Sequence, residues 1–198
     1  MKIQNLKALL LLLLAAFAFA SCDETDEAGE FDNWQARNIA FIDSIANVAR
    51  TNAGGDWKIF LAYGLVDTVK WSNEYFVYCQ VLESGDGTSM PHYNDTVKVN
   101  YRGRLIPTRN YPNGYVFDQS YRGELDPEVN VPAVLNLAGC VRGWTTAMTE
   151  MVKGDIWRVY IPYELGYGES DYSAIPAYST LIFDMNLVDF YQVGGNRE

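Results

Sequence analysis

The chain predicts an α+β fold: an antiparallel β-sheet curled around one short α-helix, with a helical extension at the N-terminus. Three observations predict it. Thr96 to Leu105, Asp155 to Ile161 and Leu181 to Phe190 alternate polar and apolar residues, the period of strands with one buried face. A single short helical segment, Gly143 to Met151, lies among them and is closed by Gly154, so it is the element left to cover the apolar face of the sheet. Ahead of the strands, Trp34, Phe41, Ile42, Ile45, Val48 and Ala49 recur at helical spacing.

Taken in order, residues 1–21 read as an export signal. Lys2 and Lys7 precede an apolar run from Ala8 to Ala20 that is shorter than the roughly 20 residues a spanning helix needs. Phe19-Ala20-Ser21-Cys22 places small residues directly before a cysteine and resembles a bacterial lipobox, which makes Cys22 the expected lipidated first residue of the mature chain. Loss of the two lysines takes the net charge from −10 to −12. That balance argues against nucleic acid as a partner and against a basic membrane-binding face, so membrane contact is expected through the lipid on Cys22. Residues 22–31 are too acidic to pack and form a tether; an acidic run here also resembles the surface-export signals of some Bacteroidetes lipoproteins. The expected location is the cell envelope, anchored to a bacterial membrane on its periplasmic or outer-surface side.

Residues 32–72 form the expected extension. Asp32 and Asn33 are N-cap candidates and Asn52-Ala53-Gly54-Gly55 is a stop. The apolar face of this helix must be covered, either by the body of the same chain or by a second copy in a homodimer. Trp57 to Trp71 has no clean period and its state stays open. Residues 73–191 then carry the strands. On Thr96 to Leu105, Val97, Val99 and Tyr101 share one face while Thr96, Lys98 and Asn100 share the other; Leu181, Phe183, Met185 and Leu187 share a face of the last strand.

Two cysteines follow the tether, Cys79 and Cys140, each in an apolar context that favours buried free thiols over a disulfide. Neither belongs to a CxxC pair, and the one histidine, His92, sits in a polar loop. A structural zinc or a histidine-based nucleophile is therefore not expected, and no cofactor is implied.

The strings Val97-Lys98-Val99-Asn100-Tyr101-Arg102-Gly103, Val116-Phe117-Asp118-Gln119-Ser120, Val141-Arg142-Gly143-Trp144, Ile161-Pro162-Tyr163-Glu164-Leu165-Gly166-Tyr167-Gly168 and Ile175-Pro176, leading into Thr180-Leu181-Ile182-Phe183-Asp184, occur in one order. In that order they resemble the FKBP-type peptidyl-prolyl cis-trans isomerases, over about the last three-fifths of the chain. The resemblance implies an FKBP-like fold, proline-containing polypeptides as substrates and macrolides as inhibitors. It implies Trp144 as the floor beneath the proline ring, with Tyr101, Phe117 and Phe183 as walls and Asp118 as an acid facing the carbonyl region. It also implies the backbone N–H of Val141 and the phenol of Tyr167 as carbonyl-holding donors, and Ile175 as an apolar residue on a loop over the pocket. This inventory suits the chemistry, because turning a prolyl amide needs neither nucleophile nor metal. It needs a dry apolar grip and fixed donors that favour the twisted bond over the resonance-stabilised planar one.

The chain also departs from the family pattern. Ala133 stands where an aromatic wall is usual, Cys140 where a branched aliphatic is, and Gly139 where a glutamate is common. The segment from Ala138 to Cys140 is shortened, and the loops Pro107 to Gly114 and Tyr121 to Val131 are lengthened. The second loop is expected to rim the pocket with Arg122, Glu124, Asp126 and Glu128. Ala133 predicts a wider pocket mouth unless Tyr121 or Tyr111 fills the space. Besides an isomerase, the sequence allows a lipid-anchored chaperone or peptide-binding module with little turnover, or a structural lipoprotein that uses the fold as a scaffold.

Overall fold

A computed structural model describes residues 29–52 and 54–191, and the chain divides into two compact units, 1–32 and 33–198. The signal segment, Cys22 and most of the acidic tether lie outside the described residues. In the first unit Asp32 does not act as a helix cap; its carboxylate accepts the N–H of Gly29 at 2.7 Å and so closes its own turn.

The second unit opens with α1, Trp34–Thr51. Asn33 is its N-cap residue, but with φ 52° in the left-handed region its side chain makes no cap bond, and only its carbonyl serves the helix, accepting from Arg37 N–H at 2.9 Å. The stop behaves as expected, with the Asn52 side chain donating to Val48 O at 2.7 Å. The buried stripe is Trp34, Asn38, Ile42, Ala46 and Ala49. Val48, expected inside, is exposed. Asn38 is buried because both ends of its amide are satisfied: Nδ2 donates to Trp34 O at 2.8 Å and Oδ1 accepts from Thr180 N–H at 2.7 Å. The Trp34 indole N–H donates to Ser179 Oγ at 2.9 Å. The helix is thus covered by its own chain.

Seven strands follow among the described residues: β1 Trp57–Leu61, β2 Phe76–Glu83, β3 Thr96–Arg104, β4 Val116–Gln119, β5 Ala133–Asn136, β6 Ile156–Ile161 and β7 Leu181–Tyr191. They form one sheet in the order β1-β2-β6-β7-β3-β4, with β5 also pairing β3, and every pairing is antiparallel. The open segment after Gly55 therefore begins as a strand. β1 shows no clean period because four of its five residues are half-buried on an edge strand. The short helix, α2 Arg142–Met148, ends earlier than its apolar run suggests and packs on β1, β2 and β6. All its residues except Arg142 are buried.

One assignment of faces changes. Asn100, expected on the polar side of β3, is fully buried. Val99 pairs with Leu187 while Lys98 pairs with Asp189, a register shift that leaves Val188 as an extra residue on β7. Asn100 then faces Asn186 across the ladder and donates to it at 3.2 Å, and Asn186 donates in turn to Asp155 O at 3.3 Å. The segment around Asp155, tied to Gly85 N–H by its carboxylate, closes over this chain of amides. Both cysteines are free, with Cys79 buried and Cys140 only half-buried.

Candidate active site

The site is built where β3, β4 and β7 run side by side. Gly103 pairs with Phe183 on one flank and Asp118 on the other, and its lack of a side chain is what admits the neighbouring rings. A Cβ here would lie 2.5 Å from Phe183 and 2.6 Å from Phe117. Phe117 and Phe183 meet edge to face at 5.5 Å. From α2, Trp144 meets Tyr101 edge to face at 5.8 Å and Phe183 at 6.1 Å, the arrangement that ring quadrupoles favour. Trp144 is only 4% exposed.

Tyr101, Trp144 and Phe183 border an open cavity of about 230 Å³, lined also by Asp118, Leu135, Gly139, Cys140, Val141, Tyr167 and Tyr172. The structure therefore brings together Tyr101, Asp118, Cys140, Val141, Trp144, Tyr167 and Phe183. It places three expected residues otherwise. Phe117 stands behind Phe183 and backs that wall. Ala133 lies one strand period before Leu135, opposite Val99, and it is Leu135 that lines the cavity. Ile175 is buried, with its N–H and carbonyl both bonded to Tyr172. Neither loop tyrosine fills the mouth: Tyr121 packs under the Arg102 guanidinium, 4.6 Å from its ring centre, and Tyr111 packs on Tyr115. Arg122, Glu124, Asp126 and Glu128 are exposed and line no part of the cavity.

The polar atoms divide into those that are engaged and those that are not. The Tyr101 phenol donates to Asp118 Oδ2 at 2.8 Å, and Gln119 N–H donates to Asp118 Oδ1 at 2.9 Å. Burial, reinforced by that carboxylate, raises the Tyr101 pKa. The Val141 carbonyl accepts from Trp144 and Thr145 N–H as α2 begins. Its own N–H, and the Tyr167 hydroxyl, donate to no group among the described residues. Burial, then the neighbouring Tyr172, Asp118 and Cys140, raise the Tyr167 pKa, so its phenol stays a protonated donor at neutral pH. Burial pushes the Cys140 thiol up to about 11, and its Sγ donates to Asn136 O at 3.5 Å. A neutral thiol is a poor nucleophile, and Cys140 serves as apolar lining.

A larger cavity, about 360 Å³, lies among Phe41, Arg104, Arg158, Tyr160 and Ile182. Size does not make it the better candidate. Its two arginines are both engaged by Asp184, whereas the smaller cavity combines an aromatic floor with two unengaged donors.

Sequence reasoning missed Leu135, Gly139 and Tyr172 as lining. Leu135 shares the period of Ala133 along β5 and was within reach of a strand-face argument. Tyr172 carried no signal, because it sits in a polar loop and meets Tyr167 only through the fold.

Comparison with known proteins gives a consistent answer. The family model described as FKBP-type peptidyl-prolyl cis-trans isomerase matches residues 87–188. The chain is 43% identical over 111 residues to the peptidyl-prolyl cis-trans isomerase Mip of Coxiella burnetii, covering 55% of this chain and 42% of that one. It is 40% identical over 121 residues to the FKBP-type peptidyl-prolyl cis-trans isomerase FkpA of Escherichia coli, covering 61% of this chain and 40% of that one. The match thus spans about two-fifths of the length of these curated relatives. The fold is similar to a crystal structure of a peptidyl-prolyl cis-trans isomerase from Pseudomonas syringae pv. tomato, with a TM-score of 0.53 and 27% identity over 78% of this chain and 96% of that one.

Proposed function

Because this chain belongs to the FKBP-type peptidyl-prolyl cis-trans isomerases, we propose that it catalyses rotation of Xaa-Pro bonds in exported polypeptides and so assists their folding. The observation that carries the reading is the pairing of an aromatic floor with two donors that have no partner among the described residues, Val141 N–H and the Tyr167 hydroxyl. A proline ring on Trp144, between Tyr101 and Phe183, leaves water behind. The planar amide owes its stability to charge separation along the C–N bond, and a dry pocket with fixed donors to the flanking carbonyls favours the twisted form instead. Asp118, held by the Tyr101 phenol and Gln119 N–H, supplies a fixed negative charge at the carbonyl edge. Macrolides that present a similar ring and carbonyls would compete for the same cavity.

The direct test is NMR exchange or protease-coupled isomerisation on a series of Xaa-Pro peptides, using the chain from Asp32 onward without added metal or nucleotide. Acceleration is expected; no acceleration on any peptide overturns the reading and favours a peptide-binding chaperone. Such a chaperone would still suppress aggregation of a client that lacks proline. Within the same assay, Tyr167→Phe is expected to lower kcat/KM by about 3- to 10-fold, the worth of one hydrogen bond. Its thermal midpoint should stay unchanged, since the hydroxyl has no partner among the described residues to lose. A lowered midpoint with full activity would remove Tyr167 from the donor role.

Residues 1–22 support export and lipid attachment at Cys22, which would hold the protein on an envelope membrane. Cys22→Ala is expected to release the protein from the membrane fraction with the folded domain intact, because anchoring then rests on acyl chains alone. Variant protein that resists carbonate washing would contradict lipid anchoring. A homodimer through α1 would have to use the apolar residues that the helix leaves exposed, Ile39 and Val48, since its buried stripe is already covered.

A further inference from the structure

The lengthened loop from Pro107 to Gly114 is a feature of the sequence that the isomerase reading leaves without a task. Its own bonds hold it in shape. Thr108 N–H donates to Tyr111 O at 3.0 Å, Gly114 N–H to the same carbonyl at 2.8 Å, and Tyr111 N–H to Thr108 Oγ1 at 3.2 Å. Tyr111 then meets Tyr115 edge to face at 5.1 Å, and the rings of Pro107 and Pro112 fix φ at those positions.

This loop and α1 wall the cavity of about 360 Å³. Arg104, Ile182 and Asp184 alternate along their strands with Gly103 and Phe183, so the cavity lies on the face of the sheet opposite the aromatic pocket. Phe41 from α1, Ile182 from β7 and the two prolines of the loop supply its apolar walls.

The polar end carries a surplus of positive charge. Asp184 accepts from Arg104 Nη1 and Nη2 and from Arg158 Nε and Nη2. One carboxylate thus faces two guanidinium groups, each with more N–H donors than it gives to Asp184. Both arginines line the cavity, as does Tyr160, whose buried phenol stands among the same three charges.

We propose that this cavity is a second binding site that takes a small organic acid, with its carboxylate on Arg104 and Arg158 and its flat apolar body between Phe41, Ile182 and the two prolines. The charge count selects the class. One further negative charge balances the surplus, whereas a phosphate dianion would exceed it beside the mostly buried Asp184. A planar carboxylate suits the guanidinium fork, and a bare inorganic ion would leave the apolar walls uncovered. The volume falls in the range of small-molecule sites, about 300–1,000 Å³. The inference stands apart from the isomerase reading, because no residue of the aromatic pocket takes part in it.

The test titrates phenylacetate, its neutral analogue phenylacetamide and inorganic phosphate into the labelled full chain, followed by NMR. Phenylacetate is expected to give saturable shifts at Phe41 and Ile182, with the amide and phosphate each binding at least about tenfold more weakly, the scale of one charged hydrogen bond. Arg158→Gln should weaken phenylacetate by about tenfold while leaving Asp184 paired with Arg104. Asn113→Asp, at an exposed position in the cavity lining, sets a like charge beside the acid without touching the Arg104–Asp184–Arg158 group and should weaken it comparably. The absence of saturable shifts overturns the proposal, as does equal binding of the amide or of phosphate. So does a response at Trp144 and Tyr101 without one at Phe41 and Ile182, which would seat the acid in the aromatic pocket. Should thermal melts show Arg158→Gln unfolded, Asn113→Asp decides, and unchanged affinity in that variant overturns the site.

Discussion

Trp144→Ala is expected to reduce kcat/KM on Xaa-Pro peptides by about 100-fold and to destabilise the domain by about 3–5 kcal/mol. The two effects have separate causes. The indole is 4% exposed and is shared by Tyr101 and Phe183, each meeting it edge to face. Truncation leaves a cavity that those rings can only partly close, and a buried tryptophan lost to alanine costs an amount of that order. The activity loss follows from the floor: an apolar group the size of a proline ring gains about 1.5–3 kcal/mol on burial, and about 1.4 kcal/mol is tenfold in rate. Trp144→Phe separates the two, because it keeps a ring beneath the substrate and should recover most of the activity while regaining part of the stability. Exchange NMR below the melting range of each variant, with near-ultraviolet circular dichroism to confirm packing, gives both readouts. A folded Trp144→Ala protein with wild-type kcat/KM would remove this cavity as the active site.

Asp184→Ala should leave the pocket rings in place yet cost about 3–5 kcal/mol of stability at neutral pH. The carboxylate, 15% exposed, accepts from Arg104 Nη1 at 2.8 Å and from Arg158 Nε at 2.6 Å. Removing it strands two guanidinium groups, the situation in which a broken buried pair is most costly. Arg158 is 34% exposed and can be partly rescued by water, which places the expectation at the lower end of that range. The pH dependence gives an independent check. Burial alone would push the Asp184 pKa up, but the bonds and charges of Arg158 and Arg104 outweigh it and hold the carboxyl below its ordinary value. A depressed carboxyl stabilises the fold fully above the unfolded value of about 3.9, and that contribution disappears as pH falls through the folded value. Urea titrations of wild type and variant should therefore differ most near pH 7 and converge below about pH 4. A gap that persists undiminished in acid would assign the effect to packing rather than charge.

The sequence by itself determined the types of the strongly periodic elements and, through the resemblance its motifs carry, most of the pocket. Period two marks β3, β6 and β7, and helical spacing marks α1, because those patterns record which face of a local element is dry. Trp144, Tyr101, Phe183, Tyr167, Val141 and Asp118 were legible through the family that the order of their short motifs resembles, since taken singly each could equally be core or a turn. What only the tertiary structure decided depends on register and on contacts distant in sequence. The extra residue on β7 opposite Lys98 and Val99 lets Asn100 be buried against Asn186, 86 positions away. Asp184 is shared between Arg104, 80 positions away, and Arg158, 26 positions away, and no local pattern announces such a triad. Asn38 belongs to the buried stripe of α1 only because Thr180 supplies its partner. The choice of Leu135 over Ala133 as lining is set by where β5 stands against β3, and the stacking of Tyr172 on Tyr167 by a turn closed between Tyr172 and Ile175. Periodicity states whether a side chain is turned inward; only the folded chain states what it meets there.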